Sequence, residues 1–170
     1  MVKPSEWVVI VTLVAGAAAA AAIDLRTRRV PNALTALLAL AGLGYAVFGI
    51  GHLSVAAALV GCGIGFVLML PGHVLGATGA GDVKLFAAMG SLLGPAAIVG
   101  AFLYTALAGG VLAAIVAVRR RRLQRTIGGA ARLVATRGAA AAQIEGQDEN
   151  NRFCYAPAIA VGAIVAAIGL

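Results

Sequence analysis

The stretch that decides the fold runs from Trp7 to Ile23, WVVIVTLVAGAAAAAAI, with DLRTRR at 24–29 directly behind it. The first segment carries no charge, and the second carries Asp24, Arg26, Arg28 and Arg29. An uncharged run of that length suits a helix across the hydrocarbon of a bilayer, and charges mark where it must stop. Similar runs recur along the 170 residues, which are 62% hydrophobic and 11% charged. At roughly 20 residues per crossing, this content suffices for about five or six helices with little left for loops. A separate soluble domain is excluded. Aromatic residues are only 5%, and the Ala, Gly, Val and Leu runs lack the alternation of barrel strands. The fold class is therefore an all-α, polytopic integral membrane protein. A signal peptide competes for the first run, since Lys3 precedes it and Ala18 to Ala22 would suit cleavage. Its flanks have the wrong polarity, because Lys3 is balanced by Glu6 while three arginines follow the run.

Outward from this stretch, Pro31 and Asn32 break the chain before a second apolar run at 33–50, and a Gly51-His52 turn leads into a third at 53–70. Pro71-Gly72-His73 closes that run, and a glycine-rich segment, Gly76 to Asp82, opens the next. The apolar residues from Val83 to Val118 are interrupted by Gly94-Pro95 and flanked on both sides by cytoplasmic signals, which requires an even number of crossings. They are read as helices 83–97 and 98–118, divided between Gly94 and Gly100. Residues 119–152 form an Arg-rich loop, with eight Arg against Glu145, Asp148 and Glu149, before a last run at 153–170. The expectation is one domain over 1–170, a six-helix transmembrane bundle. Basic loops lie on the cytoplasmic side, which puts both termini on the non-cytoplasmic side. In the Arg-rich loop, Leu123, Ile127, Ala130 and Val134 share one helical face, so an interfacial helix and a solvated basic tail stand as equal alternatives.

Net charge is +7, from 13 Lys and Arg against 6 Asp and Glu. Its placement follows topology, so no nucleic-acid partner is expected, and the lipid bilayer is. Cys62 and Cys154 form no Cys-x-x-Cys pair, and His52 and His73 fall on opposite sides of the membrane, so no metal is expected. Trp7 reads as an interfacial anchor, and Tyr155 is read the same way in preference to a place in a substrate groove.

Setting aside Glu6 and the three loop acids leaves two carboxylates, Asp24 and Asp82, each at the cytoplasmic end of an apolar helix. Singly, each has an ordinary explanation, Asp24 as a partner of neighbouring arginines and Asp82 as an N-cap. Gly79 and Gly81 argue for more, because they remove side chains and let backbone or an extended peptide approach Asp82. If bundle packing brings the two together, they can share one proton. One then takes a proton from water and the other polarises a peptide carbonyl, which is aspartic-peptidase chemistry. That chemistry needs no metal or organic cofactor. Lys84 carries charge at the same helix end, and its expected role is snorkelling.

The residues Asp24-Leu25-Arg26-Thr27-Arg28-Arg29-Val30-Pro31-Asn32, followed by Gly79-Ala80-Gly81-Asp82-Val83-Lys84-Leu85, resemble the paired motifs of the type IV prepilin peptidases. The resemblance spans the chain in layout, with a weaker echo at Tyr155-Ala156-Pro157-Ala158 and no match for 119–152. It implies an inner-membrane aspartic endopeptidase that removes the short basic leader of prepilins and pseudopilins, cutting after a glycine at the cytoplasmic face. Asp24 and Asp82 carry over as the catalytic pair. Gly79 and Gly81, with Pro31, Asn32 and Lys84 of the matching motifs, carry over as substrate-binding or site-shaping residues. The larger members carry a cytoplasmic domain with paired Cys-x-x-Cys motifs and also methylate the new pilin N-terminus. With neither motif present, this chain resembles the short peptidases of tight-adherence (Flp) pilus systems, and methyltransferase activity is not expected.

Three rivals remain. A presenilin-like protease shares Gly-x-Gly-Asp but has its first aspartate inside a helix as Tyr-Asp, whereas Asp24 stands beside three arginines. A small proton- or cation-coupled carrier would use Asp24 and Asp82 as its ion-binding acids. A structural subunit would use small-residue faces such as Gly61 and Gly65, glycines that internal helix packing equally explains.

Overall fold

The computed structural model describes residues 4–76, 78–119 and 155–169. They form five helical elements: α1 (Pro4–Thr27), α2 (Asn32–Val47), α3 (Val55–Val74), α4 (Ala80–Arg119) and α5 (Ala156–Ile168). Helix α1 from Ser5 to Thr27, α3, and α4 from Ala80 to Ile115 are long and apolar enough to cross a membrane, and α2 and α5 are shorter apolar helices. The protein is an all-α, multi-pass membrane protein. The Arg-rich loop and Cys154 lie outside the described residues.

Several helix ends differ from expectation by about one turn. Helix α1 continues past Ile23 to Thr27, so Asp24 lies within the helix, where the Arg28 N–H donates to the Asp24 carbonyl at 2.7 Å. Arg28 then takes a left-handed φ of 53° and stops the helix, a task more often given to glycine. Pro31 is extended and caps α2, its carbonyl accepting from the Leu34 and Thr35 N–H groups. Helix α2 ends at Val47, and the expected two-residue turn is longer, because Gly49 and Gly51 take positive φ and Ser54 starts α3. The Ser54 Oγ accepts the Ala57 N–H at 3.2 Å. Helix α3 runs through Pro71 to Val74, since a proline in a last turn sacrifices only one hydrogen bond.

The fourth element folds back on itself at Gly94 (φ 79°, ψ 176°), a conformation open essentially to glycine alone. Phe86 and Phe102 are 16 positions apart, about 24 Å along a straight helix. Their ring centroids nevertheless lie 6.2 Å apart, edge to face. Pro95 fixes φ at the start of the second limb, as proline does at a first helical position. The division expected between Gly94 and Gly100 therefore falls at Gly94, with the limbs parting three residues before position 97.

Both limbs pack on α3. A Cβ built on Gly65 would lie 2.8 Å from the Phe86 carbonyl oxygen and 3.3 Å from Ile98 Cγ1. Gly61 and Gly90 meet backbone to backbone, each occupying the space of the other's missing side chain. Such small-residue seams let membrane helices approach closely where no hydrophobic gradient drives them together. Gly42 brings α2 onto Ser91 of the first limb, and Gly162 brings α5 onto Ala101 and Thr105 of the second. The core contains Leu13, Leu85, Phe86, Met89, Ile98 and Ile159, all almost fully buried. Leu37, Leu40, Val67, Leu103 and Leu107 point outward, as lipid-facing residues should.

Candidate active site

Three helix ends converge on the two carboxylates. Asp24, in the last turn of α1, is 5% exposed, and Asp82, in the first turn of α4, is 7% exposed. Each is held by a backbone donor. The Ala156 N–H, at the start of α5, donates to Asp24 Oδ2 at 3.3 Å. That N–H is one of the donors a helix start leaves without an internal partner, and the end of α5 is electrically positive. A carboxylate suits it.

Asp82 is not the N-cap of α4. The helix opens three residues before the expected 83, at Ala80, with Gly79 at the cap and Asp82 at the third helical position. The Gly79 N–H donates to Asp82 Oδ2 at 3.0 Å. This is the half of a capping box in which the third residue reaches back. Gly79 has no side chain to supply the other half. A Cβ on Gly79 would lie 3.3 Å from Asp82 Oδ2, so glycine there keeps a side chain off the carboxylate.

The two aspartates lie close enough for the charge of Asp24 to act on Asp82. Tyr155 adjoins both. Its neighbour Ala156 binds Asp24, and its phenol is pushed up first by burial and then by the charge of Asp82. The ring is half-buried against Gly109, where a Cβ would lie 2.8 Å from Tyr155 Cε2. Tyr155 is thus packed on the second limb of α4 and only partly open to its surroundings. The Ala156 N–H as a donor to Asp24 is not legible in the sequence, whereas a place near the site for Tyr155 is one of the two readings open to it. Asp24 and Ala156 are separated by 132 positions, and a backbone donor leaves no residue-type signal.

The remaining residues singled out earlier frame the site. Gly81 seats the first turn of α4 on the α1–α2 connector, where its Cβ would lie 3.2 Å from Val30 Cβ. Lys84 Nζ donates to Asn32 Oδ1 at 3.0 Å, so Lys84 has a protein partner in addition to solvent. Pro31 caps α2 next to Asn32. His73 engages the Thr78 carbonyl through Nδ1 at 3.1 Å. Among the described residues, no three His, Cys, Asp or Glu are grouped to hold a metal ion.

A model of the type IV leader peptidase family matches residues 11–114, a span containing both aspartates and most of α4. No curated protein and no solved structure matches the chain.

Proposed function

The chain belongs to the type IV leader peptidase family, and on that premise we propose that it is a membrane-embedded aspartic endopeptidase with Asp24 and Asp82 as its catalytic pair. The observation that carries the reading is a pair of buried carboxylates from α1 and α4, near enough for the charge of one to act on the other and each with a backbone donor. The substrate is a type IV prepilin or pseudopilin, cut after the glycine that ends its short basic leader. One carboxylate, ionised, takes a proton from water, and the resulting hydroxide attacks the scissile carbonyl carbon. The other, protonated, donates to the carbonyl oxygen and so stabilises the tetrahedral intermediate. Collapse of that intermediate breaks the C–N bond, and a proton passes to the leaving amine.

Arg26 stands in the last turn of α1 with Arg28 and Arg29 behind it, and Arg119 ends the second limb of α4 with three more arginines, 120–122, next in sequence. By the positive-inside rule both groups face the cytoplasm, and the aspartates with them. Counting the limbs of α4 as two crossings gives six, with both termini on the non-cytoplasmic side of the inner membrane. A basic leader gains no attraction from a basic face. Recognition therefore rests on the substrate's apolar helix packing against the bundle, while the glycines at 79 and 81 admit the extended junction. Within the family, the short peptidases of tight-adherence systems are the form we assign it to, and the test uses their substrate.

The test is co-expression with a tight-adherence pilin precursor, following the leader by gel shift and N-terminal sequencing. Wild type should cut after glycine, and Asp24→Asn and Asp82→Asn, which keep shape and lose the acid, should abolish cutting. Full processing by either variant refutes the pair. Failure of the folded, inserted wild type on several precursors refutes the substrate class.

A further inference from the structure

Helices α1 and α4 carry the two aspartates yet touch each other little: α1 packs mainly on α5, and α4 mainly on α3 and α5. Direct packing therefore does not fix the separation of Asp24 and Asp82. Two indirect links are seen among the described residues. One passes through α5, whose Ala156 N–H holds Asp24. The other passes through the four-residue connector between α1 and α2 and through Asn32, the first residue of α2, which together meet the start of α4 at two points. Gly81 rests on Val30, and Lys84 Nζ donates to Asn32 Oδ1 at 3.0 Å. Lys84 stands two residues after Asp82, and the connector begins one helical turn after Asp24.

We propose that the Lys84–Asn32 hydrogen bond, with Gly81 seated on Val30, is a clasp that sets the spacing of Asp24 and Asp82, making Lys84 and Asn32 positioning residues. This rests on the reading of the aspartates as the catalytic pair. The connector turns the chain with Arg28 left-handed and Pro31 extended, and the clasp ties the residue behind it to α4. Geometry matters steeply here. A displacement of about 1 Å in a reacting group can cost about a hundredfold in rate. The bond joins an ammonium to a neutral amide at an exposed position, so its contribution to global stability is small. Its effect on the register of two acids is not.

The experiment measures kcat and KM for cleavage of a purified tight-adherence pilin precursor by the full chain in detergent. The variants are Lys84→Met, Asn32→Ala, Lys84→Arg and the exchange Asn32→Lys/Lys84→Asn, each checked by thermal unfolding. Lys84→Met and Asn32→Ala should lower kcat by about tenfold or more, with KM within about twofold of wild type. Lys84→Arg, which keeps a donor, should retain most of kcat. The exchange variant, which restores the bond with its direction reversed and the net charge unchanged, should recover kcat relative to either single change. Wild-type kcat in both single variants overturns the clasp. So does a raised KM that the exchange fails to repair, which would make these residues substrate contacts. If the single variants do not fold, failure of Lys84→Arg to cleave overturns it as well. Should Asp24→Asn or Asp82→Asn still cleave, the reading of the pair fails. Should they be inactive while Lys84→Met is unimpaired, only the clasp fails.

Discussion

Two glycines in α3, two residues apart, should respond oppositely to the same methyl group. A Cβ on Gly61 would collide with the Gly90 carbonyl oxygen and lie 2.9 Å from both Cα and C of Gly94. A carbon contact is comfortable at about 3.5–4.0 Å, so α3 and α4 must part by about 0.6–1 Å. The obstructing atoms are all backbone, and no side chain can swing away. Overpacking of this kind costs about 1–3 kcal/mol. Replacing glycine by alanine inside a helix returns about 0.5–1 kcal/mol, leaving a net loss of about 1–2 kcal/mol for Gly61→Ala. At Gly63 nothing lies within 4 Å of the new Cβ, so only the favourable helix term remains. Thermal unfolding in detergent should place Gly61→Ala a few degrees below wild type and Gly63→Ala at or slightly above it, using about 2–4 °C per kcal/mol. Equal melting temperatures for the two variants would refute the backbone seam between α3 and α4.

Three further outcomes follow from local geometry. Gly94→Ala should destabilise by about 1–3 kcal/mol, because only glycine readily holds φ 79° and ψ 176°; an unchanged melting temperature would mean the limbs of α4 are not joined as described. Ser54→Ala removes the side-chain cap of α3 and should cost about 1 kcal/mol, read by the same melt, with cleavage unaffected at wild-type temperature. Gly79→Leu places a side chain over the Asp82 carboxylate, whose Oδ2 lies 3.3 Å from the new Cβ. It should cut turnover by about tenfold or more without moving the melting temperature, and retained turnover would show that substrate does not approach Asp82 from the Gly79 side.

The membrane class was legible because uncharged runs are a bulk property, insensitive to where a helix ends. The helix ends were less so. Charge at Asp24 suggested a stop, but a carboxylate at a buried helix end can be accommodated when another helix points its positive terminus at it, and α5 does so. The onset of α4 was misplaced for a related reason: Asp before an apolar run looks like an N-cap, whereas here Gly79 caps and Asp82 reaches back from the third position. Gly94-Pro95 was visible as a break, yet the sequence gives no sign of how sharply it bends. The contact between Phe86 and Phe102 supplies that. Candidate residues were legible where their type is rare in an apolar chain, as for the two aspartates, and illegible where the contribution is a backbone N–H, as at Ala156.

A bundle this apolar offers few ways to partner a buried carboxylate, and the way used here explains why the site lies at helix ends. Mid-helix, every backbone donor is already committed to its own helix, so an acid there would need a polar side chain for company. At the starts of α4 and α5 the first N–H groups are uncommitted. Gly79 and Ala156 spend theirs on Asp82 and Asp24 respectively. The same geometry leaves the site next to connectors in place of packed helix faces, and register then has to come from short links such as Lys84 to Asn32. Stability and activity are accordingly separable in this fold. Glycine seams such as Gly61 on Gly90 hold the helices together, and under the proposed reading small polar contacts at one end set how the two acids face a peptide bond.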